Sequence, residues 1–597
     1  MRNPSGNRTA PAENSTAAAE LTRRPDLRVP AHPTICLNMI VRNEAHIVTE
    51  VLDAAAPYIS SWVIIDTGSD DGTQDVIRTH MAGLGISGEV HERPWRNFGE
   101  NRSEALQLAR GRCDYIWVMD ADDTVQGRPD FTALTADVYA MRINDGLMYW
   151  RRQLFRDGMP WRYRGVVHEY ADCETPFVEV RLEGDYYIES RRLGARNKDP
   201  QKYARDRDLL LAEVERDPND SRSVFYLTES YANFGDFVNA RKWGTRRAEM
   251  GGWAEEVYYA LWQVATSMVQ LGEPWPAVLD AFLRAWEFRP TRAEPLHAIA
   301  TGYRAQGRYA LGYLFAERAA TIPLPKDDIL FVNQSVYDWR ALDEQAVCAS
   351  WIGKREEAFA LCRRLLARSD IDDDDRKRIA MNRDHSAAAM LEAASPYPDV
   401  LARNITAHQQ TADITVTLIT GPDTQAAEQT LNSFLRCCLD LSLTHRFLIL
   451  DTGTAHRDRA NLLSQYPFVE FITFTASNEP LAELTALRDQ ITGRYWLHLG
   501  QGWRFFAPEP LIGRLCAVLT AEPTVVQVGV NYGDALGISG SCAPESAVRR
   551  SAATGRYVIT DHAAHGPAMI DLTRLDAALV DDPRTAALDE VFCIKSG

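Results

Sequence analysis

Between Thr34 and about Arg192, short apolar runs alternate with helical stretches, and that alternation leaves this chain few ways to fold. Ile35–Val41 reads as a strand and Glu44–Ala55 as a helix. Trp62–Ile65 reads as a strand, followed by a turn over Thr67–Gly72 and a helix to Met81. Val90 begins another strand, Arg102–Ala109 reads as a helix and Tyr115–Met119 as a strand. Strand, helix, strand in repetition implies a parallel sheet with crossover helices. In such sheets a ligand binds beyond the carboxyl ends of the strands, so the residues that follow each strand are where chemistry is to be sought.

Two further textures follow. From about Asp199 to Ala394 apolar residues recur at three and four, and no strand run interrupts them. Gly235, Gly272 and Gly353 each precede an alanine by five positions (Ala240, Ala277, Ala358), and Gly307 precedes Ala310 by three. Each glycine fits a turn between antiparallel helices, and each alanine fits a close contact between them. The spacing resembles tetratricopeptide repeats, whose period is about 34. The acidic run Ile371–Asp375 reads as a solvated loop or a helix cap. Beyond Asp399–Thr411, strands are predicted at Ile414–Ile419, Arg446–Leu450, Phe468–Phe474, Tyr495–Leu499 and Thr524–Val530, which makes a second α/β domain. The predicted division is a disordered tail over 1–32, an α/β domain over 33–198, a helical domain over 199–398 and a second α/β domain over 399–597.

Charge narrows the function. With 82 acidic against 65 basic residues the net charge is −17, which argues against general nucleic-acid binding. The ten cysteines show no CxxC pair and no zinc spacing, and read as free thiols of a reducing compartment. No stretch approaches the ~20 apolar residues of a membrane span. The first 30 residues lack the apolar core of a signal peptide, so a cytoplasmic protein is expected.

The strongest chemical signal is Ile116–Asp123, a buried strand that ends in Asp120-Ala121-Asp122-Asp123. Hard carboxylate oxygens at a strand end suit Mg²⁺ or Mn²⁺, which can also bridge phosphate oxygens and offset charge on a departing diphosphate. The second signal is Val63–Thr73. Asp66 ends a strand where it can accept from a base N–H, Gly68 and Gly72 permit tight turns, and Asp71 is expected to cap the next helix.

Four blocks in order carry a resemblance: Leu37–Glu44, Asp66–Thr73, Asn101-Arg102 and Asp120–Asp123. Together they resemble the inverting family-2 glycosyltransferases with the GT-A fold, over about residues 34–195, with a tetratricopeptide-like region behind them, as in peptide and protein glycosyltransferases. The resemblance implies a nucleotide-sugar site built from Val41, Asn43, Glu44, Asp66, Asn101, Arg102, Asp120, Ala121 and Lys198. It implies a Mn²⁺ or Mg²⁺ site with Asp122 as ligand, joined by Asp120, directly or through water, and by His168. A His-Glu pair after Arg151–Arg156 matches the subgroup, which makes Glu169 the candidate general base; Asp123 is the alternative. Arg196 or Lys198 in Arg196–Asp199 would close over the diphosphate.

The expected function is transfer from an NDP-sugar, UDP-sugar foremost, to a protein or peptide acceptor held by the repeats. Alternatives are a polysaccharide, glycan or lipid acceptor, or a non-catalytic repeat scaffold. The last α/β domain reads as a degenerate copy of the first, serving docking or homodimer formation. Val416–Thr420, Phe447–Thr454 and Tyr495–Trp503 parallel the first domain's blocks, but Gly500-Gln501-Gly502 replaces the acidic cluster.

Overall fold

The structure is a computed structural model that describes residues 32–144, 148–198, 201–405, 413–475, 481–533, 540–578 and 584–595. The tail expected over residues 1–32 lies outside the described residues except for His32, as does Asp199. The chain divides into two compact units. One runs to Pro290 and includes Asp327–Val332; the other comprises Thr291–Lys326 and Asn333 onward.

In the first unit, β1 (Ile35–Val41), β2 (Ser61–Asp66), β3 (Gly88–Glu92) and β4 (Tyr115–Val118) are parallel, in the order β3-β2-β1-β4. Helix α1 (Val48–Ala55) follows β1, α2 (Thr73–Gly83) follows β2, and α3 (Phe98–Ala109) connects β3 to β4. Strand β1 is apolar almost throughout because it is buried on both faces. Its one polar intruder, Asn38, donates to the Val63 and Ala105 carbonyls at 3.1 and 2.9 Å. In α1, Val48, Val51, Leu52 and Ala55 are buried, a single stripe at helical spacing.

The sheet then continues past the strands that the sequence predicts. Strands β5 (Asp123–Gly127), β6 (Val138–Asn144), β7 (Met148–Arg156) and β11 (Tyr186–Ser190) extend it as β4-β7-β6-β11-β5, with β7 antiparallel to β4. Strands β8 (Trp161–Arg164) and β9 (Tyr170–Cys173) form a separate hairpin, and β10 (Glu179–Arg181) pairs with β6. Apart from β6 and β7 these strands are short, and several are only half buried, so their periodicity is too weak to be read from sequence.

Five helices complete this unit: α4 (Lys202–Arg216), α5 (Ser221–Asn233), α6 (Phe237–Glu249), α7 (Ala254–Gln270) and α8 (Trp275–Phe288). Asp220 and Asp236 cap α5 and α6 by accepting from backbone N–H groups one turn in. Glu255 accepts from the Ile329 and Leu330 N–H groups at 2.8 and 2.7 Å, and Arg289 binds Asp328, which ties the 327–332 segment to this unit.

The second unit opens with α9 (Glu294–Ala305) and α10 (Tyr309–Ala320), then α11 (Ala341–Trp351), α12 (Arg355–Leu366), α13 (Asp373–Asp384), α14 (Ala387–Ala394) and α15 (Asp399–Asn404). The helical region is thus shared between the units rather than compact by itself. Gly235, Gly272, Gly307 and Gly353 all fall in turns between paired helices, with φ of +80°, +68°, +70° and +85°, the region that only glycine enters freely. Of the four alanines, Ala240 and Ala358 are buried at helix contacts as expected, whereas Ala277 and Ala310 are exposed. In the third pair the small residue at the contact is Gly312, five after Gly307. A Cβ there would lie 2.8 Å from Cys348 Sγ. Asp372 caps α13 through the Asp374 and Asp375 N–H groups, so the acidic run is a cap.

The C-terminal sheet repeats the first. Strands β12 (Ile414–Thr420), β13 (Arg446–Asp451), β14 (Val469–Thr473) and β15 (Tyr495–His498) are parallel in the order β14-β13-β12-β15. A short β16 (Trp503–Phe505) follows. With β17 (Val525–Gly529), β18 (Arg549–Ser551), β19 (Gly555–Thr560), β20 (Ala568–Asp571) and β21 (Arg584–Leu588), the sheet continues β15-β20-β17-β21-β19-β18, β20 being antiparallel to β15 as β7 is to β4. Register is kept as well: Val41 faces Asp66, and Thr420 faces Asp451.

Candidate functional site

The carboxyl ends of β1, β2 and β4 bring together most of the residues singled out in the sequence. Asp66 ends β2 and is 1% exposed. Its Oδ1 accepts from the Gly68 and Ser69 N–H groups and from Gln74 Nε2, each at 2.9 Å. Its Oδ2 is buried with no hydrogen-bond partner among the described residues. An unsatisfied buried carboxylate oxygen is costly, so one kept at a strand end is a mark of ligand binding.

The turn after β1 locks onto the turn after β2. Asn43, at φ +58°, donates its N–H to Ser69 Oγ and accepts from the Asp70 N–H. The Glu44 N–H donates to Thr73 Oγ1 at 2.9 Å. Asp71 is not the N-cap of α2, a place taken by Gly72. It accepts instead from the Thr73 N–H and the Ala45 N–H, each at 3.0 Å, and so ties both turns together. Val41 contributes only backbone, its carbonyl accepting from the Thr67 N–H at 2.9 Å.

The three aspartates after β4 have three environments. Asp120 is gripped by Arg102, with Arg151 Nη1 at 3.4 Å. Burial works to raise its pKa, but the two guanidinium groups outweigh it and hold the carboxyl well below the usual range. Asp123 is fully buried and accepts from the Asp120 N–H at 3.0 Å. Burial, then the Asp120 charge, pushes its carboxyl up to about 7. Asp122 accepts from the Gly194 N–H at 3.0 Å and has no cation at ion-pair distance among the described residues. Ala121, between them, is buried and offers only backbone.

Glu44 turns toward Asp122. A Cβ added to Gly194 would lie 3.2 Å from Glu44 Oε1 and 3.4 Å from Asp122 Oδ2, so both carboxylates converge on one point. Burial, and after it the Asp122 charge, raises the Glu44 pKa. Lys198 Nζ lies 2.9 Å from His46 Nε2, and its charge acts on Glu44.

The three-ligand set expected for a metal is not assembled. Among the described residues no group of three His, Cys, Asp or Glu is placed to hold an ion. Asp120 is spent on arginines. His168, at φ +52°, stacks on Tyr226 with ring centroids 4.2 Å apart. Burial against that ring, then the charges of Arg196, Arg222 and Lys202, hold its imidazole at about 4, and no carboxylate acts on it. Asp122 and Glu44 remain as a converging pair of hard oxygens. One or two carboxylates with the rest of the shell left to phosphates and water is how Mg²⁺ is commonly held, so this pair fits a divalent cation.

Other expectations shift similarly. Asn101 is fully buried and structural: it accepts from the Arg96 N–H and donates to the Pro94 carbonyl. Arg102 donates to Glu169 at 2.6 Å as well as to Asp120, so it clamps two carboxylates rather than standing open to a nucleotide. Arg196 pairs with Asp206 at 2.5 Å and lies over Phe98. Missed from sequence are Arg151, which sits in a quoted block without an assigned role, and Gly194, a lone glycine after β11 with no local signal.

A cavity of about 350 Å³ opens beside this cluster, with His168, Arg192 and Asn197 on one side and residues of α4, α5 and the 327–332 segment on the other.

Residues 36–136 match the family model described as glycosyl transferase family 2. No curated protein matches the chain. Among solved structures the chain is similar to YrrB, a TPR protein with an unusual peptide-binding site, at 13% identity over 30% of this chain and 82% of that one, TM-score 0.24. It is similar to a tetratricopeptide repeat protein from Parabacteroides merdae, at 16% identity over 32% and 69%, TM-score 0.25. A thermophilic TPR protein of Thermus thermophilus gives 16% identity over 30% and 90%, TM-score 0.23. Likenesses this slight say nothing of ligand or partner.

Proposed function

Because this chain carries a family-2 glycosyltransferase domain, we propose that it moves a sugar from a nucleoside-diphosphate sugar to an acceptor hydroxyl, with inversion at the anomeric carbon. The observation that carries the reading is Oδ2 of Asp66, buried and without a partner at the carboxyl end of β2. It suits the ring N–H of a uracil, so a UDP-sugar is the favoured donor.

Glu44 and Asp122 are the residues that would hold Mn²⁺ or Mg²⁺, and a bound cation offsets the charge that develops on a departing diphosphate. Lys198, whose charge reaches Glu44, adds a cation on the same side. Glu169 is the base. A general base must reach the proton it removes, and geometry ranks before pKa. Glu169 follows His168, which lines the cavity, and its side chain is 13% exposed, whereas Asp123 is wholly buried and cannot touch an acceptor. Arg102 fixes Glu169 against Asp120, and Asp123 fixes the Asp120 backbone.

A protein or peptide acceptor is the reading favoured for the repeats, since stacked helix pairs form concave surfaces suited to extended chains. No helix among the described residues is long and apolar enough to cross a membrane. No disulfide joins the described cysteines, which favours a reducing, cytoplasmic setting.

The test is a melting screen of the full chain with nucleotide sugars, with and without Mn²⁺, since a ligand of the native state raises Tm by mass action. A UDP-sugar should raise Tm in the parent and not in D66N. D122A should keep its fold and lose transfer. No shift with any nucleotide sugar would refute the donor site, and full transfer in excess chelator would remove the metal.

A further inference from the structure

The cavity lined by His168, the residue before Glu169, has an unusual composition. Its apolar surface is aromatic: His168, Tyr203, Tyr226 and Phe331. The remaining wall is made of hydrogen-bonding groups: Asn197, Asp206, Glu229, Ser230 and Asn233, with the cations Arg192 and Lys202. No aliphatic side chain lines it among the described residues. An apolar side chain or a lipid tail would leave these amides and carboxyls without partners, a penalty for each group. Of the charged groups in the wall, Asp206 is paired with Arg196 at 2.5 Å and Lys202 is joined to Asn197 Oδ1 at 2.8 Å. Asp66, the base-binding candidate, is not part of the wall.

One ligand class matches both halves of this lining. A pyranose ring has apolar C–H faces that lie on aromatic rings, and an edge of hydroxyls that donate and accept to carboxyl and amide groups. The volume, about 350 Å³, lies at the low end of the roughly 300–1,000 Å³ usual for small-ligand sites. Glu229 adds to this: burial pushes its carboxyl up to about 7, so an uncharged partner is favoured, and its Oε1 is buried with no hydrogen-bond partner among the described residues. The position fits as well. His168 precedes the proposed base, and Arg192 and Asn197 flank Gly194, whose N–H holds Asp122.

We infer that this cavity is the acceptor subsite and that a saccharide unit enters it, so the hydroxyl glycosylated belongs to a sugar that the acceptor already carries. The inference rests on the transfer reading above. In the step, the acceptor oxygen forms a bond to the anomeric carbon of the donor as the bond from that carbon to the diphosphate breaks. The hydroxyl proton passes to Glu169, and the nucleoside diphosphate leaves with the electron pair. A carrier of that first sugar, protein or otherwise, lies outside the cavity.

The test is saturation-transfer NMR on the full chain, with a panel of free mono- and disaccharides (glucose, galactose, rhamnose, N-acetylglucosamine and their β-linked dimers) and with unglycosylated peptides. At least one saccharide should bind. Its affinity should fall at least tenfold in N233A and in Y203A, both at exposed positions whose replacement leaves the fold intact. The Tm shift given by the nucleotide sugar should be unchanged in both variants. Binding of no saccharide, binding indifferent to both variants, or peptides alone competing for the cavity would overturn the subsite. Loss of the donor shift in the two variants would reassign the cavity to the donor and likewise overturn it. If the parent binds saccharide in the cavity but no nucleotide sugar shifts its Tm, the transfer reading fails and the saccharide site stands.

Discussion

Arg102 lies between Asp120 and Glu169 with 11% of its side chain exposed, and both carboxylates depend on it. Removing one partner of a buried ion pair strands the other charge, at a typical cost of about 3–5 kcal/mol. R102Q should therefore lower stability by about 3 kcal/mol in urea unfolding and cut turnover as well, because Glu169 is no longer held; an unchanged urea midpoint would show that the clamp contributes nothing. E169Q keeps the shape and removes the proton acceptor. Turnover should fall at least a hundredfold with donor affinity nearly constant. Loss of donor affinity would instead place Glu169 in the donor site. Asp123 gives a pH signature. Its carboxyl titrates near 7 in the folded chain and near 4 unfolded, so between those values the folded state holds the extra proton. Its contribution to stability is complete below about pH 4 and is lost as pH rises through 7. Relative to the parent, D123N should be more stable at pH 8 than at pH 5, read as the difference in urea midpoints.

At the scale of elements, glycine spacing gave the helix pairs and their turns but misplaced two contacts, at Ala277 and Ala310. The alanine three residues after Gly307 looked like the packing residue, yet Gly312 occupies the interface, where a Cβ meets Cys348 Sγ and the Ala300 carbonyl. A spacing of five from the turn glycine holds in three of the four pairs: Ala240 and Ala358 obey it and Gly312 extends it, whereas Ala277 is exposed. G312L should destabilise the second unit by about 1–3 kcal/mol through overpacking, while G312A costs less because it adds a single methyl group. Equal melting temperatures for G312L and the parent would show that this contact is loose. The strands β5, β8, β9, β10 and β11 illustrate the opposite limit. They are three to five residues long and partly exposed, and their place is set by their pairing partners rather than by any pattern of their own.

Across the whole molecule, one sheet order is used twice with different outcomes at the same turn. Asp451 accepts from the Gly453 and Thr454 N–H groups at 3.1 and 2.7 Å, as Asp66 does from Gly68 and Ser69. But Arg459 stands 3.5 Å from Asp451 Oδ2, the oxygen left unpartnered in Asp66. With Gly500-Gln501-Gly502 in place of carboxylates, the second copy has its base-binding position neutralised and no acidic cluster, which supports a structural role. That role is concrete: Arg363 on α12 pairs with Glu509 and Glu590, and Phe359 packs into the C-terminal core. Deleting residues 400–597 should therefore leave α12 with an exposed apolar face and unpaired charge, giving aggregation in size-exclusion chromatography. A monodisperse truncation with native helicity by circular dichroism would refute that dependence.

The sequence by itself determined the α/β–helical–α/β succession, the four parallel strands of each sheet, the turn glycines and the strand-end position of Asp66 and Asp120–Asp123. Each of these is written locally, in periodicity, in glycine's access to positive φ, or in a carboxylate placed directly after a buried strand. The tertiary structure alone decided which carboxylates are spent and which remain. Asp120 and Asp122 are two residues apart and look equivalent in sequence, yet Arg102 and Arg151 claim the first, while Gly194 and Glu44 meet the second. Those partners come from α3, from β7, from beyond β11 and from the turn after β1. Electrostatic environment is a property of distance in space, and no spacing along the chain encodes it.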